Sequence, residues 1–176
     1  MAQDSHGVVL LVDGHSAQRR FYSDILSVRG YAVYPAANLT DAERFLADDM
    51  PSVILLDVAL TEPDGIESGR RLRERLGERV PILFFAATDG LEVVLAALRA
   101  GGDDYIVKSG SPTVLLDRIA HWRVADRGNI AERRGKAIAY VETQIARAAE
   151  AKTRQEGQAK TDPAPASRKR LWHSPT

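Results

Sequence analysis

Three stretches of this chain are apolar without interruption: Val8-Val9-Leu10-Leu11-Val12, Val53-Ile54-Leu55-Leu56 and Ile82-Leu83-Phe84-Phe85-Ala86. A strand with one wet face alternates apolar and polar residues, so runs like these describe strands covered on both faces, as in a parallel sheet between two layers of helices. Two shorter, more mixed stretches, Tyr31–Tyr34 and Asp104–Val107, suit the edges of the same sheet.

The segments between the runs carry helical spacing. Ala17, Phe21, Ile25 and Val28 line one face of the first, and Leu39, Ala42 and Phe45 line the second, which opens on the capping-box pattern Thr40-x-x-Glu43. Ile66, Gly69, Leu72 and Leu76 line the third; Leu91, Val94, Leu95 and Leu98 line the fourth, with Asp89-x-x-Glu92 as its cap. The fifth begins at Ser111-Pro112, an N-cap followed by proline at the first helical position, and runs on through Leu115, Ile119 and Trp122. Five such βα units predict an α/β fold: a doubly wound, five-stranded parallel sheet of flavodoxin-like order 2-1-3-4-5. In that order strands 1 and 3 are neighbours where the winding reverses, and ligands bind at their carboxyl ends.

Charges sit at those ends. Asp13 follows the first run, Asp57 the third, and Lys108 the fifth. A carboxylate at the end of a buried strand costs free energy unless a cation or hydrogen bonds meet it, so two carboxylates and a lysine at three strand ends point to one site. A carboxylate can attack phosphorus and form an acyl phosphate. That transfer asks the protein mainly for positioning and charge neutralisation. Asp57 suits the nucleophile, Asp13 a ligand to a hard divalent cation such as Mg²⁺, and Lys108 a point charge on a phosphoryl oxygen.

Residues 7–124 resemble the response regulator receiver family. The resemblance rests on Leu11-Val12-Asp13, Leu55-Leu56-Asp57, Asp64-Gly65, Pro81-Ile82-Leu83 and Gly101-Gly102-Asp103-Asp104-Tyr105-Ile106-Val107-Lys108, in that order and spacing. It implies a stand-alone response regulator of a two-component phosphorelay, phosphorylated on Asp57 by a histidine kinase or phosphotransfer protein and read by a downstream protein partner. It also implies Mg²⁺ held by Asp13, Asp57 and the backbone carbonyl of Ala59, with switch positions at Ala86 and Tyr105.

The chain departs from that pattern at four places. Gly14 stands where the family has a second acid, which weakens the metal site. Ala86 replaces a hydroxyl residue and removes a hydrogen bond to a charged phosphoryl oxygen, worth about 1.5–3 kcal/mol. Ser109 replaces a proline whose preceding bond is typically cis; a cis bond before another residue costs about 2.5–4 kcal/mol, so a rebuilt loop is expected after Lys108. Thr61 also stands where the family has proline, with Pro63 two residues later. The alternative reading is a pseudo-receiver that kept the fold as a protein-docking surface without regulated phosphorylation. An aspartyl phosphatase is disfavoured because Asp57-Val58-Ala59 lacks a second acid, and no separate enzymatic activity is expected.

Residues 1–124 hold 13 Lys and Arg against 18 Asp and Glu, and residues 125–176 hold 11 against 6, so the zero net charge divides into −5 and +5. Residues 125–156 read as a C-terminal helix, with kinks expected at Gly128 and Gly135 and an apolar stripe Ile138, Val141, Ile145, Ala148. That stripe is expected to pack on a partner helix, from a second copy or another protein, rather than on its own receiver. Residues 157–176 read as a disordered basic tail containing Ser167-Arg168-Lys169-Arg170-Leu171-Trp172. One helix and a tail are too little for a helix-turn-helix, so no specific nucleic-acid binding is expected. The four histidines, His6, His15, His121 and His173, lack metal-ligand spacing and read as surface residues. There is no cysteine and no apolar stretch long enough to span a membrane, so a cytoplasmic protein is expected.

Overall fold

The computed structural model of the chain describes residues 6–161. Strands β1 (Val8–Val12), β2 (Ala32–Ala36), β3 (Val53–Asp57), β4 (Ile82–Ala86) and β5 (Asp104–Val107) form one parallel sheet in the order β2-β1-β3-β4-β5. Helices α1 (Ser16–Val28), α2 (Leu39–Asp48), α3 (Gly65–Leu76), α4 (Leu91–Arg99) and α5 (Pro112–Val124) make the crossovers, and α6 (Ile130–Thr161) follows. Register places Val12 beside Leu56, Asp57 beside Phe85, and Ala86 beside Val107, so the carboxyl ends of the three central strands and β5 lie level with one another.

Alternation along the strands divides the core in two. Leu10, Val12, Ile54, Leu56, Ile82 and Phe84 face α2, α3 and α4, whereas Val9, Leu11, Val53, Leu55, Leu83 and Phe85 face α1 and α5. Both sets are buried, which is why these strands are apolar up to Asp57 at the end of β3. Helix α3 approaches β4 closely at Gly69, where a Cβ would lie 2.3 Å from Phe84 Cζ. Edge strand β2 tolerates Pro35 because an edge has one unpaired side. It begins one residue later than expected: Tyr31 is buried in the core beside Leu26, and its amide donates to the Leu26 carbonyl of α1 rather than to a strand.

Several local expectations are corrected. The buried face of α1 is Tyr22, Ile25 and Leu26, not the stripe through Phe21 and Val28, which are 55% and 84% exposed. Tyr22 wins the inner position because its ring packs edge-on against Phe85, with centroids 4.6 Å apart. Helix α2 is capped by Asn38, whose side chain accepts from the Asp41 amide, rather than by Thr40; α4 begins at Gly90 without a side-chain cap. Ser111 caps α5 as expected, and Asp64 caps α3 by accepting from the Glu67 amide.

The largest correction concerns the C-terminal helix. It begins at Ile130 rather than residue 125, runs unbroken through Gly135, and continues to Thr161, five residues into the segment expected to be disordered. The basic cluster at residues 167–172 lies outside the described residues. The apolar stripe is filled within the chain: Ala137, Ile138, Val141 and Ile145 pack on Val94, Leu95 and Leu98 of α4. Ala148, the last member of the expected stripe, is exposed.

Ion pairs hold the base of α6 in place. Asp103, its side chain fully buried just before β5, accepts from Arg73 of α3, Arg127 of the α5–α6 connection and Arg134 of α6, and from the Ile82 amide that opens β4. Arg134 also grips Glu78 through both guanidinium arms at 2.8 and 2.7 Å. A stripe of three or four apolar residues is too short to identify its partner; the five charged residues that hold the base of α6 lie scattered between positions 73 and 134, and no local pattern joins them.

Arg134→Ala should therefore cost about 1–3 kcal/mol of unfolding free energy by urea titration, because Asp103 keeps two other arginines. Arg99→Ala, which breaks the outer Arg99–Glu142 pair at 59% and 45% exposure, should change it by less than about 1 kcal/mol. The hydrogen bond from Arg134 holds the Glu78 carboxyl below its ordinary 4.5. This contribution is present above that pH and is lost as pH falls below it, and Glu78→Gln should remove that acid dependence.

Candidate functional site

The three charged residues expected to converge do so at the carboxyl ends of the strands. Asp13 follows β1 and is fully buried, Asp57 ends β3 at 3% exposure, and Lys108 follows β5 with its side chain 10% exposed. Lys108 Nζ donates to Asp13 Oδ2 at 2.9 Å and meets Asp57 Oδ1 as an ion pair at 3.0 Å. To do so it reaches over β4, passing 5.3 Å from the centre of the Phe85 ring. The remaining carboxylate contacts are backbone amides: His15 N–H to Asp13 Oδ1 at 2.8 Å, and Ala59 N–H to Asp57 Oδ1 at 3.1 Å. These charge-assisted bonds orient both carboxylates.

Neighbouring elements hold the lysine's strand end. The Lys108 amide donates to Ala86 O at 2.7 Å and its carbonyl accepts from Tyr22 OH at 3.4 Å. Burial, with the two carboxylates, pushes the Tyr22 phenol up from its usual value, while Lys108 pulls against the shift. The turn after Lys108 closes through Gly110 N–H to Val107 O. Among the described residues the cis peptide is Glu62–Pro63, so the Lys108–Ser109 bond is trans. At the start of α3, Gly65 is obligatory: a Cβ there would lie 2.1 Å from the Asp57 carbonyl oxygen.

Two contacts were not anticipated from sequence. Gln18, in the first turn of α1, accepts a 2.7 Å hydrogen bond from Lys108 Nζ. Tyr105 OH donates to the Thr88 backbone carbonyl at 2.5 Å, so residue 88 contributes its main chain rather than its hydroxyl. Burial raises the Tyr105 phenol as well. Ala86 is buried at the end of β4 and brings no polar side-chain atom to the site, and Ala59 lies exposed on the β3–α3 loop.

The donor set suits a hard divalent cation only in part. Asp13 and Asp57 supply two carboxylates, but no group of three or more acidic, histidine or cysteine side chains that could hold a metal occurs among the described residues. Gly14 brings no carboxylate beside Asp13, although the first carbon of a side chain fits there. A Cβ on Gly14 would meet nothing closer than Leu60 Cδ2 at 3.7 Å, and its φ is not positive.

A doubly wound sheet whose carboxyl edge gathers two buried carboxylates and one ammonium defines a receiver-type signalling module. The description "response regulator receiver domain" matches residues 9–120, and the chain belongs to this family. It is 37% identical over 111 residues to the response regulator MprA of Mycolicibacterium vanbaalenii, a match covering 63% of this chain and 48% of that protein. The chain thus spans about half the length of the curated relatives it matches. Among solved structures it is similar to a LuxR-family two-component response regulator from Aurantimonas (TM-score 0.60, 31% identity, 74% of this chain and 96% of that one). It is also similar to the beryllofluoride-activated receiver domain of Klebsiella pneumoniae RstA (TM-score 0.63, 25% identity, 67% and 99%).

The charge balance of the site, two carboxylates to one ammonium, has a stability signature. Lys108→Met strands two buried carboxylates and should cost about 3–5 kcal/mol at neutral pH. Asp57→Asn relieves the excess negative charge and should raise stability by about 0.5–2 kcal/mol. Denaturant titrations of the two variants beside the parent protein check both signs.

Proposed function

We propose that this protein is a receiver of a two-component phosphorelay and that Asp57 is its phosphoacceptor. The observation that carries this reading is the Asp57 carboxylate at the carboxyl end of β3, paired with Asp13 and met at 3.0 Å by the Lys108 ammonium. A carboxylate oxygen of Asp57 attacks the phosphorus of a phosphohistidine or of a small acyl phosphate. The new P–O bond forms as the bond to the leaving group breaks, and the leaving imidazole or carboxylate takes away the electron pair. Lys108 stays protonated and moves its charge onto a phosphoryl oxygen. Asp13 and Asp57 would hold Mg²⁺, which when bound neutralises phosphoryl oxygens. A histidine kinase or phosphotransfer protein is the phosphodonor this reading requires, and a protein partner is its readout.

A second reading, the phosphorylation-independent docking module, is favoured by two observations. Ala86 offers no hydroxyl to a phosphoryl oxygen, and α6 occupies the outer face of α4.

Incubation with Mg²⁺ and acetyl phosphate, followed by intact mass spectrometry, separates the two. The phosphoacceptor reading expects the gain of one phosphoryl group, lost in Asp57→Asn; no gain in the parent protein contradicts it. Gly14→Asp, by supplying the third carboxylate, should reach half-maximal phosphorylation at Mg²⁺ concentrations about tenfold lower, equivalent to roughly 1.4 kcal/mol of binding.

A further inference from the structure

Lys108 is shared three ways, and the third partner lies outside the phosphoacceptor pair. Its ammonium makes hydrogen bonds to Asp13 Oδ2 at 2.9 Å and Gln18 Oε1 at 2.7 Å, while Asp57 Oδ1 is met as an ion pair at 3.0 Å. An ammonium has three N–H donors and accepts nothing, so the Gln18 atom facing it must be the carbonyl oxygen. Gln18 stands on the exposed first turn of α1 and, with Ala17, Phe21, Tyr22, Ala87 and Ser109, lines an open cleft of about 430 Å³ beside Lys108. Neither carboxylate lines that cleft, so Gln18 meets the ammonium from the cleft side while both carboxylates keep their contact with it.

We propose that Gln18 is a positioning residue that restrains Lys108: it anchors the ammonium in its resting place, from which Lys108 must shift to follow a phosphoryl group on Asp57, and so slows phosphorylation. The proposal rests on the phosphoacceptor reading. Of the three partners Gln18 is the neutral one on a flexible side chain, whereas the two carboxylates are buried and tied to backbone amides. It is therefore the partner that yields when a phosphoryl oxygen arrives. Breaking this bond adds to the barrier in the parent protein and adds nothing where the acceptor is missing. The need for Lys108 is also heightened here, because Ala86 supplies no hydroxyl to share the phosphoryl charge.

The test compares the full chain with Gln18→Met, which keeps the length without a strong acceptor, and Gln18→Asn, which keeps the amide but shortens its reach. Two quantities are measured: the rate of phosphorylation by acetyl phosphate at fixed Mg²⁺, and the exchange of the Lys108 ammonium protons with water by ¹⁵N NMR, assigned by loss of the signal in Lys108→Arg. Both variants should phosphorylate about three- to tenfold faster, and both should exchange those protons faster. Their agreement matters because methionine and asparagine differ in helix propensity, so a merely structural role would separate them. Unchanged or slower phosphorylation in either variant, or unmoved proton exchange, overturns the proposal. If no form of the protein takes up phosphate, the phosphoacceptor reading fails instead. The proton exchange then decides alone: unchanged exchange overturns the hold of Gln18 on Lys108, and faster exchange upholds it.

Discussion

The Lys108 ammonium between the buried carboxylates of Asp13 and Asp57 is the interaction on which the carboxyl edge of this sheet depends. Without a cation, two carboxylates at 0% and 3% exposure would carry a large desolvation cost with no compensating charge. Topology makes the arrangement available. The 2-1-3 order sets β1 and β3 side by side, so their terminal acids are neighbours, and β5 lies one strand beyond β4, within the length of a lysine side chain. The strand interiors contribute by being apolar on both faces, which leaves the strand ends as the place where charge can gather.

The second organising device is also electrostatic. Asp103 joins the start of β4 to α3, to the α5–α6 connection and to α6. A buried carboxylate with three arginines is weak evidence for net stability, since an apolar cluster of the same volume can do as well. Its effect here is to set geometry: it fixes where α6 begins, and the short seam of Ile138, Val141 and Ile145 then falls on Leu95 and Leu98 of α4. The receiver and its C-terminal helix thus share an apolar contact that neither sequence segment reveals by itself.

What could be read in advance follows from range. Strand identity and the convergence of Asp13, Asp57 and Lys108 were legible because uninterrupted apolar runs and terminal charges are local signals, and the resemblance to the receiver family agrees with the strand order. The inner face of α1 was misread because Phe21 and Val28 are as apolar as Leu26, and only the edge-on contact of Tyr22 with Phe85 decides which face turns inward. The cap at Asn38, an acceptor three residues before the amide it receives, was hidden by the capping-box pattern Thr40-x-x-Glu43 two residues later. Gln18 carried no signal, since a glutamine in the first turn of an amphipathic helix is ordinary until Lys108 is seen beside it. The partner of α6 was illegible for the same reason: it is set by charges far apart in sequence.

Lys108 neutralises two resting carboxylates, and the proposed function requires it to transfer that charge to a phosphoryl group on Asp57. A crystal structure of the protein with Mg²⁺ and beryllofluoride tests it most directly. The account predicts a beryllofluoride adduct on Asp57, with Lys108 Nζ moved onto one of its fluorines, still bonded to Asp13, and released from Gln18. An empty Asp57 with Lys108 still shared among Asp13, Asp57 and Gln18 at saturating beryllofluoride would contradict it.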